Sequence, residues 1–293
     1  MQNSKIKVGI IGAGQVGSIL AEQLNLNQQL SFIVSRNKNK SPYLIDKGIS
    51  NKTILRSVLD INNHVDFIII AVRDSQIHQV VNELVQIDKS FLRKTIVLHT
   101  SGSLNKEELS KLQDFKAIIC SAHPYQTFFK QDIKILENIA WGIDCEEDNF
   151  EQISELIYSL KGKPIKLSGA ALSNKPMYHL SAVAASNFTV ALIALAKDLV
   201  NKLDLDANTF LKPIINQTVN NSYEYLNKDE IPLTGPIARA DYSIIEKHIN
   251  SLQEFPEIEK SYKDISKFVL DMAYSKSILS ESDFMKINNL LHK

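Results

Sequence analysis

A glycine-rich turn near the N-terminus is the feature that most constrains how this chain can fold. The segment GAGQVG at residues 12–17 follows an apolar run and precedes a helix-compatible stretch over 15–26. In such a context the first glycine permits a tight turn, the second lets the backbone approach a pyrophosphate, and the third lets helix and strand pack closely. The helix N-terminus also offers N–H groups and a positive dipole end to phosphates. The pattern predicts a dinucleotide site, with a packing turn that binds no ligand as the alternative, and its candidate residues are Gly12, Gly14, Gln15, Val16 and Gly17.

Short β-branched runs alternate with helical patterns from residue 5 to about residue 167. The runs are apolar without interruption, which is typical of strands in a parallel sheet that is covered on both faces. Right-handed crossovers then predict an α/β fold with a doubly wound parallel Rossmann sheet. The predicted strands cover 6–11, 30–34, 65–72, 95–98 and 116–120, with weaker ones near 139–143 and 164–167.

Beyond about residue 168, helical patterns follow one another without strands. We therefore predict a Rossmann domain over 1–167 and an all-helical second domain over 168–293. Ser173 is expected to cap a long helix that tolerates Pro176 in its first turn and runs to about Leu203. Further helices are predicted near 207–226, 241–252, 256–275 and 280–291.

Charge and cysteine content exclude several classes of protein. Thirty-three basic and 33 acidic residues give a formal net charge of zero, which argues against a nucleic-acid binder and against a polybasic membrane-surface protein. Two cysteines, Cys120 and Cys145, are too few for a disulfide framework or a cysteine-rich metal site, which favours a reduced, cytoplasmic setting. No signal peptide is expected, and the most apolar stretch, 182–196, is expected to be too short to span a bilayer.

The end of the second predicted strand bears on nucleotide choice. A site that prefers NAD usually carries Asp or Glu about 20 residues beyond the glycines, on the ribose 2′-hydroxyl. Here no acidic residue appears before Asp46. Ser35 and Asn37 can hydrogen-bond a 2′-phosphate, and Arg36 can pair with its charge. The segment therefore favours NADP as the cofactor, with a solvated basic turn as the alternative.

Other candidates follow strands at their carboxyl ends, where open α/β sheets hold ligands. Ala71, Val72 and Arg73 lie after one strand, and the first two would line the nicotinamide ribose. Ser101 follows the next strand in a His-Thr-Ser-Gly segment. His123 begins a His-Pro-Tyr-Gln segment after the strand beyond that, and a capping or structural histidine is the alternative there.

The long helix carries a second set of candidates. His179, Val183 and Asn187 fall at i, i+4 and i+8 and so share one helical face. Reduction of a C=O or C=N bond needs a proton donor, which a histidine can supply near neutral pH. His179 is thus a candidate donor and Asn187 a candidate for orienting the substrate, although a hydrogen-bonded core histidine is the alternative.

A loop over 234–239 supplies a further candidate. Arg239 is a fixed cation that could bind a carboxylate or phosphate through two hydrogen bonds. The alternative is an ordinary surface arginine in a loop. His248, on the next helix, is expected to be solvated or structural.

Together these segments resemble those of a known group of proteins. They are residues 12–17, 35–37, 99–102, 123–128, 179 with 186–188, and 234–239. The chain resembles Rossmann-like proteins whose second half is a domain of unknown function. That group is similar to pyrroline-5-carboxylate reductase, ketopantoate reductase and the deazaflavin-dependent NADP oxidoreductases.

The resemblance implies an NADP-binding domain and a helical domain of the 6-phosphogluconate dehydrogenase C-terminal-like type, with the active site in the cleft between them. In ketopantoate reductase and the hydroxyacid dehydrogenases a lysine on the long helix donates the proton. His179 stands in its place, and Asn187 fits an asparagine two turns on. Ser101 falls where related dehydrogenases use a serine on the substrate. Ala240 departs from the group, which usually has glycine after the arginine.

We therefore expect an NADP-dependent oxidoreductase that reduces a small anionic carbonyl or imine compound. The catalytic candidates are His179, Asn187, Ser101, His123 and Arg239. A homodimer through the helical domain is expected, with a small-molecule substrate and with neither nucleic acid nor membrane as a partner. The alternative is a non-catalytic NADP-binding redox sensor or regulatory protein, because the usual lysine is replaced at position 179.

Overall fold

A computed structural model describes residues 6–37, 39, 41–87, 89–129, 132–228 and 230–292. The chain divides into two compact units, Met1–Phe188 and Thr189–Lys293. This division falls beyond the predicted domain boundary at 167/168, because residues that follow the last strand make side-chain contacts with the sheet of the first unit. Lys175, for example, hydrogen-bonds Ser121 on a central strand.

One eight-stranded sheet forms the centre of the first unit and confirms the predicted fold class. Its strands are β1 (Val8–Ile11), β2 (Leu30–Val34), β3 (Ile54–Leu55), β4 (Phe67–Ile70), β5 (Ile96–His99), β6 (Ile118–Pro124), β7 (Ala140–Asp144) and β8 (Lys163–Lys166). Their order is β3-β2-β1-β4-β5-β6-β7-β8. Strands β1 to β6 pair in parallel, and the chain reverses its direction of travel across the sheet between β1 and β4, as in doubly wound folds.

The far edge of the sheet corrects the prediction of a wholly parallel sheet. Strand β7 runs antiparallel to β6, with Ser121 opposite Asp144, and β8 runs parallel to β7. A parallel connection needs a long crossover, usually an α-helix. Among its described residues, the connection from β6 to β7 carries only a 3₁₀-helix, Ile133–Leu136, instead. Apolar composition does not encode strand direction, so the sequence could not reveal this reversal.

Helices cover both faces of the sheet, which explains the unbroken apolar runs. The helices of this unit are α1 (Gln15–Leu26), α2 (Ser41–Asp46), α3 (Ile77–Leu84), α4 (Lys89–Leu92), α5 (Phe150–Ser159), α6 (Gly169–Ser173) and α7 (Lys175–Val183). Ile10 belongs to a buried cluster with Leu20 of α1. Its neighbour Ile11 points to the other face and belongs to a cluster with Val80 and Val81 of α3. Both side-chain directions are thus buried along one strand.

The start of α7 differs from the prediction. Ser173 ends α6, and the side chain of Asn174 caps α7 by accepting a hydrogen bond from the Met177 N–H at 3.2 Å. The predicted cap at Ser173 is therefore wrong by one residue, while Pro176 lies in the first turn as expected. A π-helical turn, Ala184–Phe188, follows α7.

Lys175–Lys202 forms a helix of 28 residues whose most apolar window has a mean hydropathy of 1.6. By length and composition it is long and apolar enough to cross a membrane, contrary to the expectation that the apolar stretch 182–196 is too short. Length and composition are weak support for a membrane span, because core helices of soluble proteins pass the same test.

Among the described residues of the second unit every regular element is a helix, which confirms the predicted helical region. Its helices are α8 (Thr189–Lys202), α9 (Ala207–Tyr225), α10 (Tyr242–Ser251), α11 (Pro256–Ser275) and α12 (Glu281–His292). Ile245 of α10, Leu270 of α11 and Ile287 of α12 belong to one buried cluster. The last three helices thus supply the core of this unit.

Candidate functional site

A cleft of about 450 Å³ opens in the first unit at the carboxyl ends of β1, β2 and β4. Its lining residues are Ile11, Gly12, Ala13, Gly14, Val34, Ser35, Arg36, Asn37, Ala71, Val72, Arg73, Gln76 and Val80. The sheet order reverses between β1 and β4, which is where open α/β sheets hold ligands. The cleft therefore brings most of the predicted cofactor residues to one place.

The three glycines of the turn differ in whether the structure leaves room for a side chain. Gly12 has φ of +112°, and a Cβ there would clash with the carbonyl of Ala71. A Cβ at Gly17 would clash with the carbonyl oxygen of Gly12, so α1 could not pack as it does. A Cβ at Gly14 would meet nothing within 4 Å. The fold requires glycine at positions 12 and 17, whereas Gly14 leaves bare backbone beside the cleft.

The first turn of α1 faces the same end of the sheet. Gly14 is its N-cap residue and makes no side-chain cap hydrogen bond. Gln15 and Val16 form this turn, and their side chains are not part of the cleft lining. Their predicted part in binding thus rests on backbone N–H groups, which a helix N-terminus leaves without intrahelical partners.

The loop after β2 is held by its own hydrogen bonds. The buried hydroxyl of Ser35 donates to the carbonyl of Asn37 at 3.1 Å. The side-chain oxygen of Asn37 accepts from the backbone N–H of Asn39 at 2.9 Å. These bonds fix the rim of the cleft between Ser35 and Asn37.

Arg36 is paired with a carboxylate that sequence reasoning missed. Its Nη2 atom lies 2.6 Å and 2.7 Å from the two carboxylate oxygens of Glu83 on α3. Arg56, just after β3, donates from Nη1 to the carbonyl of Ser35 at 3.3 Å. Glu83 and Arg56 reach the loop because elements distant in sequence pack together. No local sequence pattern predicts such contacts.

The segment after β4 lines the cleft and also supports the next loop. Arg73 faces the cleft, and the adjacent Asp74 accepts hydrogen bonds from the hydroxyls of Ser101 at 2.9 Å and Ser103 at 2.8 Å. The Ser101 oxygen accepts in turn from the backbone N–H of Leu104 at 3.2 Å. Ser101 therefore holds the loop after β5, and its predicted contact with substrate stays a prediction.

Two histidines meet beside that loop. His123 at the end of β6 and His179 on α7 lie edge to face, with ring centroids 5.5 Å apart. Both approach Gly102, where a Cβ would lie 2.7 Å from Nδ1 of His179 and 2.9 Å from Nε2 of His123. The glycine therefore permits the close approach, a role that its position in the sequence did not suggest.

The two histidines differ in their surroundings. The Nδ1 atom of His123 bonds the hydroxyl of Tyr178 at 3.1 Å. Burial, with a smaller contribution from His179, lowers the pKa of His123 to about 4, so its ring is neutral at pH 7. The Nδ1 atom of His179 is buried and has no hydrogen-bond partner within the described part of the chain. A buried polar atom without a partner is one that a ligand could satisfy.

Lys175 is a buried cation that sequence reasoning overlooked. It lies one helical turn before His179, is 1% exposed, and donates from Nζ to the hydroxyl of Ser121. Burial lowers the pKa of Lys175. Ser121 lies two residues before His123 on β6 and therefore points to the same face of the sheet. The spacing of Lys175 and His179 was the available signal.

His99 belongs to this buried region as well. It lies opposite Ser121 in the register of β5 and β6. Its Nε2 atom bonds the carbonyl of Asn105 at 3.0 Å, and burial lowers the pKa of His99 to about 4. His99 thus supports the loop that carries Ser101 and Gly102.

Three further residues from the sequence analysis have surroundings of their own. Asn187 is exposed in the π-helical turn and takes no part in the contacts that join His123, Tyr178 and His179. Arg239, in the second unit, is exposed and donates to the carbonyl of Thr234 within its own loop. His248 bonds the hydroxyl of Tyr262 at 3.2 Å in that unit.

Comparisons with known proteins agree with this architecture. The family described as Rossmann-like domain matches residues 1–124, and the family described as domain of unknown function DUF2520 matches residues 139–268. A search of curated protein sequences found no match.

Solved structures with the same fold cover nearly the whole chain. BF3122 from Bacteroides fragilis, described as a candidate NADP oxidoreductase, is 21% identical, with a TM-score of 0.73 over 90% of this chain and 98% of its own. Protein TM1727 from Thermotoga maritima is 24% identical, with a TM-score of 0.69 over 91% and 99%. A Plasmodium falciparum pyrroline carboxylate reductase with NADP bound is 17% identical, with a TM-score of 0.56 over 99% of each chain. At these identities the likeness establishes the fold. The chain thus combines a region that matches the Rossmann-like domain with a region that matches the domain of unknown function DUF2520.

Proposed function

We propose that this protein is an NADP-dependent oxidoreductase that reduces a small anionic carbonyl or imine compound. The observation that carries the proposal is the cleft, in which the glycine turn, the end of β2 and the segment 71–73 line one volume. A volume of about 450 Å³ is within the usual range for ligand sites. Proteins of the same fold include one solved with NADP bound.

The cleft residues fit the parts of NADP one by one. Gly14 leaves open space beside the N-terminus of α1, where a pyrophosphate would accept backbone hydrogen bonds. Arg36 and the side-chain amide of Asn37 would hold the 2′-phosphate at the end of β2, while Ser35 holds the loop that carries them. Ala71, which lines the cleft, would offer a small side chain to the nicotinamide ribose. When bound, NADPH supplies the hydride.

The histidine pair supports the proton transfer that such a reduction needs. His179 would hold the transferred proton, because its buried Nδ1 atom is without a partner in the described residues and faces the space beside Gly102. His123 would orient the substrate by a hydrogen bond, since a pKa of about 4 leaves its ring neutral at pH 7, without an imidazolium proton to transfer. Asn187, Ser101 and Arg239 stay proposals as substrate contacts.

Lys175 supplies a reason to expect an anionic substrate. A protonated Lys175 beside Ser121 would add positive potential near the histidine pair, in part offset by the carboxylate of Asp144 opposite Ser121. Arg73, exposed at the rim of the cleft, adds a second cation. Both would favour a substrate that carries a carboxylate.

Two measurements test the proposed function. Fluorescence titration with NADPH and, in parallel, NADH should show tighter binding of NADPH. Keto acids and cyclic imines should then be screened for oxidation of NADPH. Tight binding without turnover on any compound would favour the alternative, an NADP-binding sensor, and no binding of either nucleotide would contradict both functions.

We also propose that the helical unit forms a homodimer. The structure describes every residue of α8 and α9, and none is buried. Leu192, Ile193 and Ile214 line an apolar groove between these two helices. Contiguous exposed apolar surface of this kind usually marks an interaction site, and a second copy would cover it.

A further inference from the structure

We propose that Glu83 is a specificity-determining residue, which limits the preference for a 2′-phosphorylated nucleotide by holding Arg36 in an ion pair. The inference rests on the proposed function, because it concerns how the cleft chooses between NADPH and NADH. It assigns a role to a residue outside the cleft lining.

Contacts along α3 place Glu83 at the phosphate end of the cleft. Gln76, just before α3, and Val80 within it line the cleft, and Glu83 follows Val80 at i+3, on the neighbouring part of the same helical face. Both carboxylate oxygens of Glu83 lie within 2.7 Å of Nη2 of Arg36. Gln79 donates to the same carboxylate at 3.0 Å, which fixes its orientation.

This pair changes what Arg36 offers to a phosphate. A 2′-phosphate must either displace Glu83 from the guanidinium or share the guanidinium with it. Displacement breaks a charge-assisted contact, and sharing brings two anions close together. Either way the carboxylate opposes binding of the 2′-phosphate, although the side chains are partly exposed, at 45% and 21%, so that solvent moderates the effect.

The same carboxylate is compatible with an unphosphorylated ribose. Sites that prefer NAD place an acid on the ribose 2′-hydroxyl, usually from the end of the second strand. That strand end has no acid in this chain, and the fold brings Glu83 to it from α3 instead. A 2′-hydroxyl could donate to Glu83 without disturbing Arg36. The ion pair therefore narrows the difference in affinity between NADPH and NADH.

The test compares Glu83→Gln with the wild-type protein by calorimetric titration of NADPH, NADH, adenosine 2′,5′-bisphosphate and AMP. Glutamine keeps the shape of the side chain and removes its charge. We expect NADPH and the bisphosphate to bind about fivefold more tightly, while NADH and AMP bind equally or more weakly. Glu137→Gln is the matched control, because Glu137 also forms an exposed ion pair, with Lys161 at 3.1 Å, and is not part of the cleft lining.

Two further variants make the outcome decisive. Glu83→Ala should shift NADPH affinity in the same direction, and in an Arg36→Ala background the gain from Glu83→Gln should disappear. Unchanged or weaker NADPH binding in Glu83→Gln would overturn the inference and leave the proposed function standing. If wild-type protein binds neither nucleotide, the proposed function fails and this inference fails with it.

Discussion

His123 and His179 face each other across Gly102, and only a hydrogen atom at that Cα leaves room for both rings. Gly102→Ala would place a methyl group 2.7 Å from Nδ1 of His179, so at least one ring must move. A shift of about 1 Å at a reacting centre lowers the rate about 100-fold. We expect turnover to fall by about that factor with NADPH affinity unchanged, measured by steady-state kinetics and fluorescence titration. Gly235→Ala is the control, because a Cβ at Gly235 meets nothing within 4 Å; equal turnover in both variants would contradict the role of the pair.

Removal of the His179 ring should separate chemistry from binding. His179→Ala takes away the proposed proton donor without touching a residue that lines the cleft, so turnover should fall by about 10²–10⁴ while NADPH binds as before. His248→Ala, which removes a histidine that bonds Tyr262 in the other unit, is the control and should keep full turnover. Normal turnover in His179→Ala would show that another group supplies the proton.

Acid should destabilise the first unit through two buried histidines. Burial lowers the pKa of His99 and of His123 to about 4, whereas an unfolded histidine titrates near 6.5. Between those values the unfolded chain binds protons that the folded chain does not. The contribution of the two neutral histidines to the free energy of unfolding should therefore be complete above pH 6.5 and decrease as the pH drops toward 4. Each histidine contributes about 1.4 kcal/mol per pH unit in this window.

Urea denaturation at pH 7, 6 and 5 measures this loss. His123→Asn should show a shallower decline than wild type, because one of the two titrating rings is gone. His64→Asn is a suitable control, since His64 is exposed. A decline that is identical in wild type and His123→Asn would contradict the assignment to His123.

Ala240 should be a site where glycine stabilises the helical unit. Its φ of +53° lies in the left-handed region that disfavours side chains. Ala240→Gly should raise the free energy of unfolding by about 1 kcal/mol, less whatever packing the methyl group contributes to the buried cluster beside it. Ala238→Gly, at a residue without positive φ, should instead lower stability or leave it unchanged. Chemical denaturation followed by helical circular dichroism distinguishes the two variants.

A charge on the exposed groove of the helical unit should prevent dimerisation. Ile193→Glu places a carboxylate in the apolar groove between α8 and α9, and burial of that charge against a second copy would be strongly unfavourable. Light scattering coupled to size exclusion should report a dimer for wild type and a monomer for the variant. Leu26→Glu changes a leucine that is 59% exposed at the end of α1 and should leave the dimer intact. A monomeric wild type would contradict the proposal.

Local patterns in the sequence predicted the parts of the molecule that depend on neighbours in the chain. The glycine turn is one, because Gly12 has a positive φ within the turn and a Cβ at Gly17 would clash with the carbonyl oxygen of Gly12, five residues earlier. The helical region is another, because its periodicity and caps are local, although the cap of α7 proved to be Asn174 and not Ser173. The direction of β7 could not be predicted, since apolar runs look alike in parallel and antiparallel strands.

The residues that sequence reasoning missed reach the site through long-range packing. Glu83 meets Arg36 across 47 positions, and Lys175 meets Ser121 across 54. Neither pair follows from spacing, because the sheet order decides which elements become neighbours. The role predicted for Arg36 therefore did not include its ion pair with Glu83.

Gly14 differs from its two companions in a way that separates the needs of the fold from those of a ligand. A methyl group would clash with its neighbours at Gly12 and at Gly17, whereas at Gly14 it would meet nothing within 4 Å. A Gly14→Ala chain should thus keep the full architecture while its cleft is closed to a pyrophosphate. Gly14→Ala would then be a folded control protein that binds no nucleotide. Every effect ascribed to a bound nucleotide can be measured against it.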